Sequence, residues 1–218
     1  MKFTVSSMKL FNHLSSVNRV INSKNTLPIL DCFLFKLQEG TLTITASDSE
    51  TTLVTSIEVD SSDEDGVVAI GAKTLLDSLK EIPEQPITFE INLASFEIIV
   101  HYQNGNYNLT GQSGEEYPQS PDLTDSITHL AIDANTLSDG INRSIFAIEE
   151  DELHPIMNGI YFDITDQNIT MVGSDGHKLV RYRINSAHGE GTTSFILPKK
   201  PTSLLKNILA KGDNEEVK

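Results

Sequence analysis

Ser174-Asp175-Gly176-His177 places a hydroxyl, a carboxylate and an imidazole within four consecutive residues, the side-chain types of a hydrolytic relay. A relay needs the nucleophile bonded to the base and the base to an orienting acid, which neighbours in one tight turn cannot achieve. The same residues also suit a plain turn whose aspartate collects nearby backbone N–H groups, and an exposed turn of that kind can serve a partner. Gly66-Val-Val-Ala-Ile-Gly71-Ala72-Lys73-Thr74 nearly spells a phosphate-binding loop. Its lysine stands one residue too far from the second glycine, and the intervening apolar run reads as a strand, which cannot wrap N–H groups round a phosphate. His13, His101, His129, His154, His177 and His188 show no metal-ligand spacing. The single Cys32, inside an apolar run, reads as a small buried hydrophobe and excludes an internal disulfide. The expectation is a non-enzyme with no metal and no cofactor.

The charge pattern is more informative than any of these motifs. The chain of 218 residues carries a net charge of −15, which speaks against a polyanion partner. Residues 1–30 nevertheless contain no acid but hold Lys2, Lys9, Arg19 and Lys24, and the acid-free stretch 191–212 holds Lys199, Lys200, Lys206 and Lys211. Acids gather instead at 60–65, 115–116 and 149–152. Lysine suits phosphate contact without base readout, so any DNA binding is expected to be sequence-independent and steeply salt-dependent. No apolar run approaches a membrane span, no signal sequence opens the chain, and a cytoplasmic protein is expected.

The elements that hold these residues repeat. Moving 127 positions along the chain aligns Pro28 with Pro155, Phe35 with Phe162, Thr43 with Thr170, Asp48 with Asp175 and Lys73 with Lys200, without a gap. Ten of the first 80 positions are identical at that offset, so the ungapped register and the apolar pattern carry the case. In the first unit, residues 2–6 predict a strand. Ser6 or Ser7 caps a helix to about residue 21, with Leu10, Leu14, Val17 and Ile21 on one face. Strands are predicted over 29–37, 41–46, 51–59, 67–70, 87–91, 96–102 and 106–111, with a helix over 73–82 and an acidic loop at 61–66. Residues 111–124, with Pro118 and Pro121, read as linker composition. The second unit repeats the plan. Strands fall over 130–133, 157–164, 169–174, 178–184 and 195–197, and helices over 134–148 and from Pro201, with another strand beginning at 213–218. Residue 218 aligns with residue 91, so the second unit lacks counterparts of 92–127, and the chain is expected to be a fragment.

Met-Lys-Phe-Thr-Val at the start, T-L-P-I-L at 26–30, G-T-L-T-I-T-A-S-D-S-E at 40–50, Asn158-Gly159, S-D-G-H-K-L at 174–179 and P-K-K at 198–200 together resemble the bacterial β sliding clamps, processivity subunits of DNA polymerase III. The resemblance covers the whole chain. It implies an α+β fold of tandem DNA-clamp domains, each with two helices packed on curved antiparallel sheets. The first domain is placed at 1–122, a linker at 123–127 and an incomplete second domain at 128–218, with the third absent. The implied function is a non-catalytic tether that encircles duplex DNA as a head-to-tail homodimer ring. Its partners are the polymerase catalytic subunit, the clamp loader and repair polymerases, which dock through short linear motifs. Carried onto this sequence, the DNA-facing positions are Lys24, Lys73, Lys199 and Lys200, to which the helix faces add Lys9, Arg19, Lys80, Arg143 and Lys206. The partner-peptide positions are Met157, Ser174, Gly176, His177, Lys178 and Leu179. Tyr107, Lys73 and Lys80 mark the dimer edge. The family's DNA-contacting loop before Asn158 reads His154-Pro155-Ile156 here, without aromatic residues. Two other classes compete: a small hydrolase using Ser174, Asp175 or His177, which ester turnover would reveal, and a protein-only scaffold, which would lack salt-sensitive DNA contact.

Overall fold

A computed structural model describes residues 1–22, 25, 27–119, 130–151, 153–189, 191–209 and 216–217, and the chain divides into two compact units, Met1–Pro121 and Asp122–Lys218.

The first unit opens with strand β1 (Lys2–Ser6) running straight into helix α1 (Ser7–Val17). Ser6 is extended and its hydroxyl accepts the Lys9 N–H at 3.3 Å, satisfying one of the helix's orphan donors. The helix is shorter than its apolar pattern predicts: from Asn18 to Val20 the chain tightens into a 3-10 turn. A second 3-10 turn, Pro28–Asp31, replaces the first residues of the predicted 29–37 strand, because proline fixes φ for a turn and the Leu30 N–H closes on the Leu27 carbonyl at 3.0 Å. Strands β2 (Cys32–Gln38), β3 (Thr41–Ser47) and β4 (Thr52–Glu58) form a meander. The β2–β3 turn holds Glu39 and Gly40 at φ 49° and 77°, the mirror-image geometry that a two-residue hairpin favours, and the Glu39 N–H is held by Asp65 Oδ1 at 3.0 Å. The expected acidic loop contains a two-residue strand, β5 (Ser61–Ser62), paired with β1. Next come β6 (Gly66–Gly71), helix α2 (Ala72–Lys80), β7 (Pro86–Ile91), β8 (Glu97–Tyr102) and β9 (Gly105–Thr110).

Residues 112–117, expected to begin the linker, fold back onto the first unit instead. β10 (Gln112–Ser113) pairs with β6, and Tyr117 is buried among Ile29, Leu30, Cys32 and Ala69 with its hydroxyl donating to the Cys32 carbonyl at 3.4 Å. Gly114 permits this closure, since a Cβ there would meet Val67 Cγ1 at 2.5 Å. Residues 120–124 of the 111–124 stretch, and the whole linker placed at 123–127, lie outside the described residues. Two antiparallel sheets result, ordered β5-β1-β7-β8-β9 and β10-β6-β2-β3-β4. Helix α1 packs on α2, β3 and β4, and α2 packs on β2 and β6. Phe3, Phe33, Phe35 and Phe89 are fully buried, with Phe3 stacked on Phe89 at 4.9 Å.

The second unit repeats the plan at the 127-residue offset. It comprises β11 (Ile132–Asp133), α3 (Ala134–Ser144), a 3-10 turn at Ile145–Ala147, β12 (Gly159–Ile164), β13 (Ile169–Ser174), β14 (Leu179–Ile184), β15 (Thr193–Pro198), α4 (Lys199–Leu209) and β16 (Glu216–Val217). Asp133 caps α3 as Ser6 caps α1, its Oδ1 accepting from the Thr136 N–H and hydroxyl, each at 2.8 Å. The strand registers coincide as well: Leu42 pairs with Ile57 and Ile169 with Ile184, while Phe35 pairs with Val68 and Phe162 with Phe195. The offset fails once. Ser6 pairs with Pro86 and Asp133 with Glu216, so the final strand stands 130 residues after its counterpart. Its core is Ile141, Ile160, Phe162, Ile164, Ile169 and Met171, below the paired helices α3 and α4.

Candidate nucleic-acid interface

The four α-helices among the described residues, α1 to α4, carry seven lysines and arginines against two acids, Asp77 and Asp139, in a chain whose net charge is −15. The apolar stripe of each helix is spent on its sheet, so the basic residues take the opposite face. In the first unit Lys9, Arg19, Lys73 and Lys80 are all exposed, on α1, on the turn that follows it, and at the two ends of α2. Lys9 Nζ donates to the Glu58 carbonyl at 3.3 Å, which holds it toward β4. Lys80 sits in the last turn of α2, where a cation suits the helix dipole. In the second unit Arg143 is exposed in the last turn of α3, its guanidinium 5.5 Å from the centre of the Tyr182 ring. Lys199, Lys200 and Lys206 are half-buried on α4, and Lys199 is paired with Glu150. Lys73 and Lys200 occupy the same place, the second residue of α2 and of α4, as the repeat requires. Lys24 lies outside the described residues.

Gly66–Gly71 is strand β6, so the near-match to a phosphate loop has no loop in it. The Ser174–Lys178 turn joins β13 to β14, and its polar groups are spent on backbone. Asp175 Oδ1 accepts the N–H groups of His177 and Lys178 at 3.0 and 2.8 Å, and the Ser174 hydroxyl donates to the Lys178 carbonyl at 2.9 Å. The Lys178 ammonium, 2.8 Å from Oδ2, and the two backbone N–H bonds hold the Asp175 carboxyl well below the usual carboxylate range. Asp48 Oδ1 does the same for the N–H groups of Glu50 and Thr51, at 3.1 and 2.7 Å. The aspartate therefore shapes a turn in both units rather than orienting an imidazole.

This turn presents His177, Lys178 and Leu179 to solvent, Leu179 being 67% exposed. Met157 stands just before β12 at the same end of the sheet, beside Ile156, which is 78% exposed. The Met157 carbonyl accepts the Glu149 N–H at 2.9 Å, and Asn158 Nδ2 donates to the Glu149 carbonyl at 2.9 Å. Leu153 and Glu150 have no candidate role in the sequence, and Ile156 enters only within the His154-Pro155-Ile156 loop. Their only signal was an acidic and apolar run with no periodicity. Tyr107 lies on β9, an edge strand, with its hydroxyl enclosed and without a hydrogen-bond partner, and burial pushes it up to about 12.

Two paired helices backed by antiparallel sheets, repeated along the chain with lysines on the exposed helix faces, define a tandem DNA-clamp fold. A family model described as the DNA polymerase III beta subunit, N-terminal domain, matches residues 1–121, and one for the central domain matches 131–218; the chain belongs to the DNA polymerase III beta subunit family. The beta sliding clamp of Haemophilus influenzae is 29% identical over 98% of this chain and 58% of its own length, and that of Halalkalibacterium halodurans is 26% identical over 100% and 59%. The crystal structure of the DNA polymerase III subunit beta from Pseudomonas aeruginosa superposes with a TM-score of 0.90 at 22% identity, covering 99% of this chain and 58% of that one. The sliding clamp from Bacillus subtilis gives 0.89 at 21%, with the same coverage. The chain thus spans just under three-fifths of the length of the relatives it matches.

Proposed function

We propose that this chain supplies the first domain and most of the second domain of a sliding clamp, a non-catalytic tether for the replicative polymerase in the cytoplasm. The observation that carries the reading is the concentration of basic residues on the helices of an acidic protein. Lys9, Arg19, Lys73, Lys80, Arg143, Lys199, Lys200 and Lys206, with Lys24, face the phosphates of duplex DNA without reading bases. Weak phosphate contacts let the protein slide, and encirclement prevents loss. The turn at Ser174, Gly176, His177, Lys178 and Leu179, with Met157, receives short linear motifs of the polymerase, the clamp loader and repair polymerases. Ring closure uses the β9 edge at Tyr107 together with α2, and it also needs the length that the relatives have and this sequence lacks. The test is binding of two fluorescein-labelled 20-base-pair duplexes of unrelated sequence, measured by anisotropy across a salt series. Lys73→Glu with Lys200→Glu is expected to weaken both duplexes equally and to flatten the log–log salt slope by about 2. Unchanged affinity, or a loss confined to one sequence, would overturn the reading.

A further inference from the structure

Helix α4 begins Lys199-Lys200 and has no acid in its first turn. The positive end of its dipole and the Lys199 ammonium meet there, and the helix itself carries no acid. The balance comes from another segment: Glu150 Oε2 is paired with Lys199 Nζ. The two partners differ in freedom, Glu150 being 83% exposed and Lys199 33%, so the carboxylate can leave for water while the ammonium stays at the helix start. The acid is also wired to its surroundings. Its neighbour Glu149 holds the Met157 carbonyl at 2.9 Å and receives Asn158 Nδ2 at 2.9 Å, and the Lys199 N–H donates to the Asn158 carbonyl at 3.1 Å. The ion pair thus clips the segment carrying Met157 to the start of α4. In the first unit Ala72 stands at the position of Lys199, so the clip belongs to the second unit alone.

We propose that Glu150 is a built-in competitor for Lys199: it occupies the ammonium when no phosphate is present, yields it to DNA, and so couples DNA contact to the partner-facing segment at Met157. The inference rests on the reading of Lys199 as a phosphate contact. Glu150→Gln, Lys199→Gln and the double variant are titrated with a fluorescein-labelled 20-base-pair duplex at low salt. Glu150→Gln is expected to tighten binding about two- to fivefold, the range for an exposed ion pair. That gain is expected to vanish in the Lys199→Gln background. Lys199→Gln with no loss of affinity overturns the phosphate reading and this inference with it. A loss from Lys199→Gln, with no gain from Glu150→Gln or the same gain in both backgrounds, overturns the competitor alone. Amide exchange at Met157 and Asn158 is expected to quicken in Glu150→Gln and when duplex is added to the unaltered chain; exchange unmoved by either removes the coupling.

Discussion

The two Asp turns offer an internally controlled test, because the same backbone conformation is occupied by different residues. Ser49 has φ 80° and Gly176, at the equivalent position, has φ 82°. An L residue in this left-handed region costs about 1–2 kcal/mol. A Cβ at Gly176 would meet nothing within 4 Å, so Gly176→Ala adds backbone strain and no clash. Against the strain stands the lower entropy of the unfolded chain, worth about 0.4–1 kcal/mol for glycine to alanine. The net expectation is a loss of about 1 kcal/mol, or about 4–8 °C in a unit of this size. Ser49→Gly reverses both contributions and should gain about 1 kcal/mol by the same arithmetic. The Asp48 and Asp175 bonds to backbone run through N–H groups and survive both changes. The units can unfold separately, so the assay is urea-dependent amide exchange, followed on β3 and β4 for Ser49→Gly and on β13 and β14 for Gly176→Ala. Shifts of the same sign in the two units, or no shift at Gly176→Ala, would refute the assignment of strain to φ.

Ser144 is fully buried at the end of α3, its hydroxyl has no hydrogen-bond partner, and the equivalent residue in the first unit is Val17. Ser144→Ala should therefore raise the urea midpoint of the second unit by the equivalent of about 1 kcal/mol, since it removes a desolvated donor. Tyr107 and Tyr117 are both pushed up to about 12, chiefly by burial. A folded value above the unfolded 10.0 means that the stabilisation is complete below pH 10.0 and is lost as pH rises through about 12. Absorbance at 295 nm should show two tyrosines titrating late, together with loss of the first unit's structure, and Tyr117→Phe should leave one.

The features legible in the sequence were those that a short window or a fixed offset can express. The repeat is the clearest: α1 at 7–17 and α3 at 134–144, or β6 at 66–71 and β15 at 193–198, keep the 127-residue offset to the residue. Apolar spacing and capping residues determine these elements locally, and the strand registers follow because a one-residue slip would turn each buried face outward. What escaped notice depends on contacts between distant segments. Gly, Ser and Glu at 112–117 have the composition of a connector, yet Tyr117 finds a buried site 85 residues back along the chain at Cys32, and the strand β10 forms as a consequence. The pairing of Glu150 with Lys199 spans 49 residues and joins two runs that, read singly, look like an acidic surface and a basic one. A lysine that recurs in the repeat, such as Lys200, can thus be found from sequence, whereas the pairing of its neighbour Lys199 with Glu150 cannot. The repeat marks Lys73 and Lys200 because they stand at equivalent places in the two units; it is silent on Glu150 because the Lys199 position is alanine in the first unit. A departure from the repeat, such as Ala72 against Lys199, is therefore where the phosphate contacts proposed for the two units would differ.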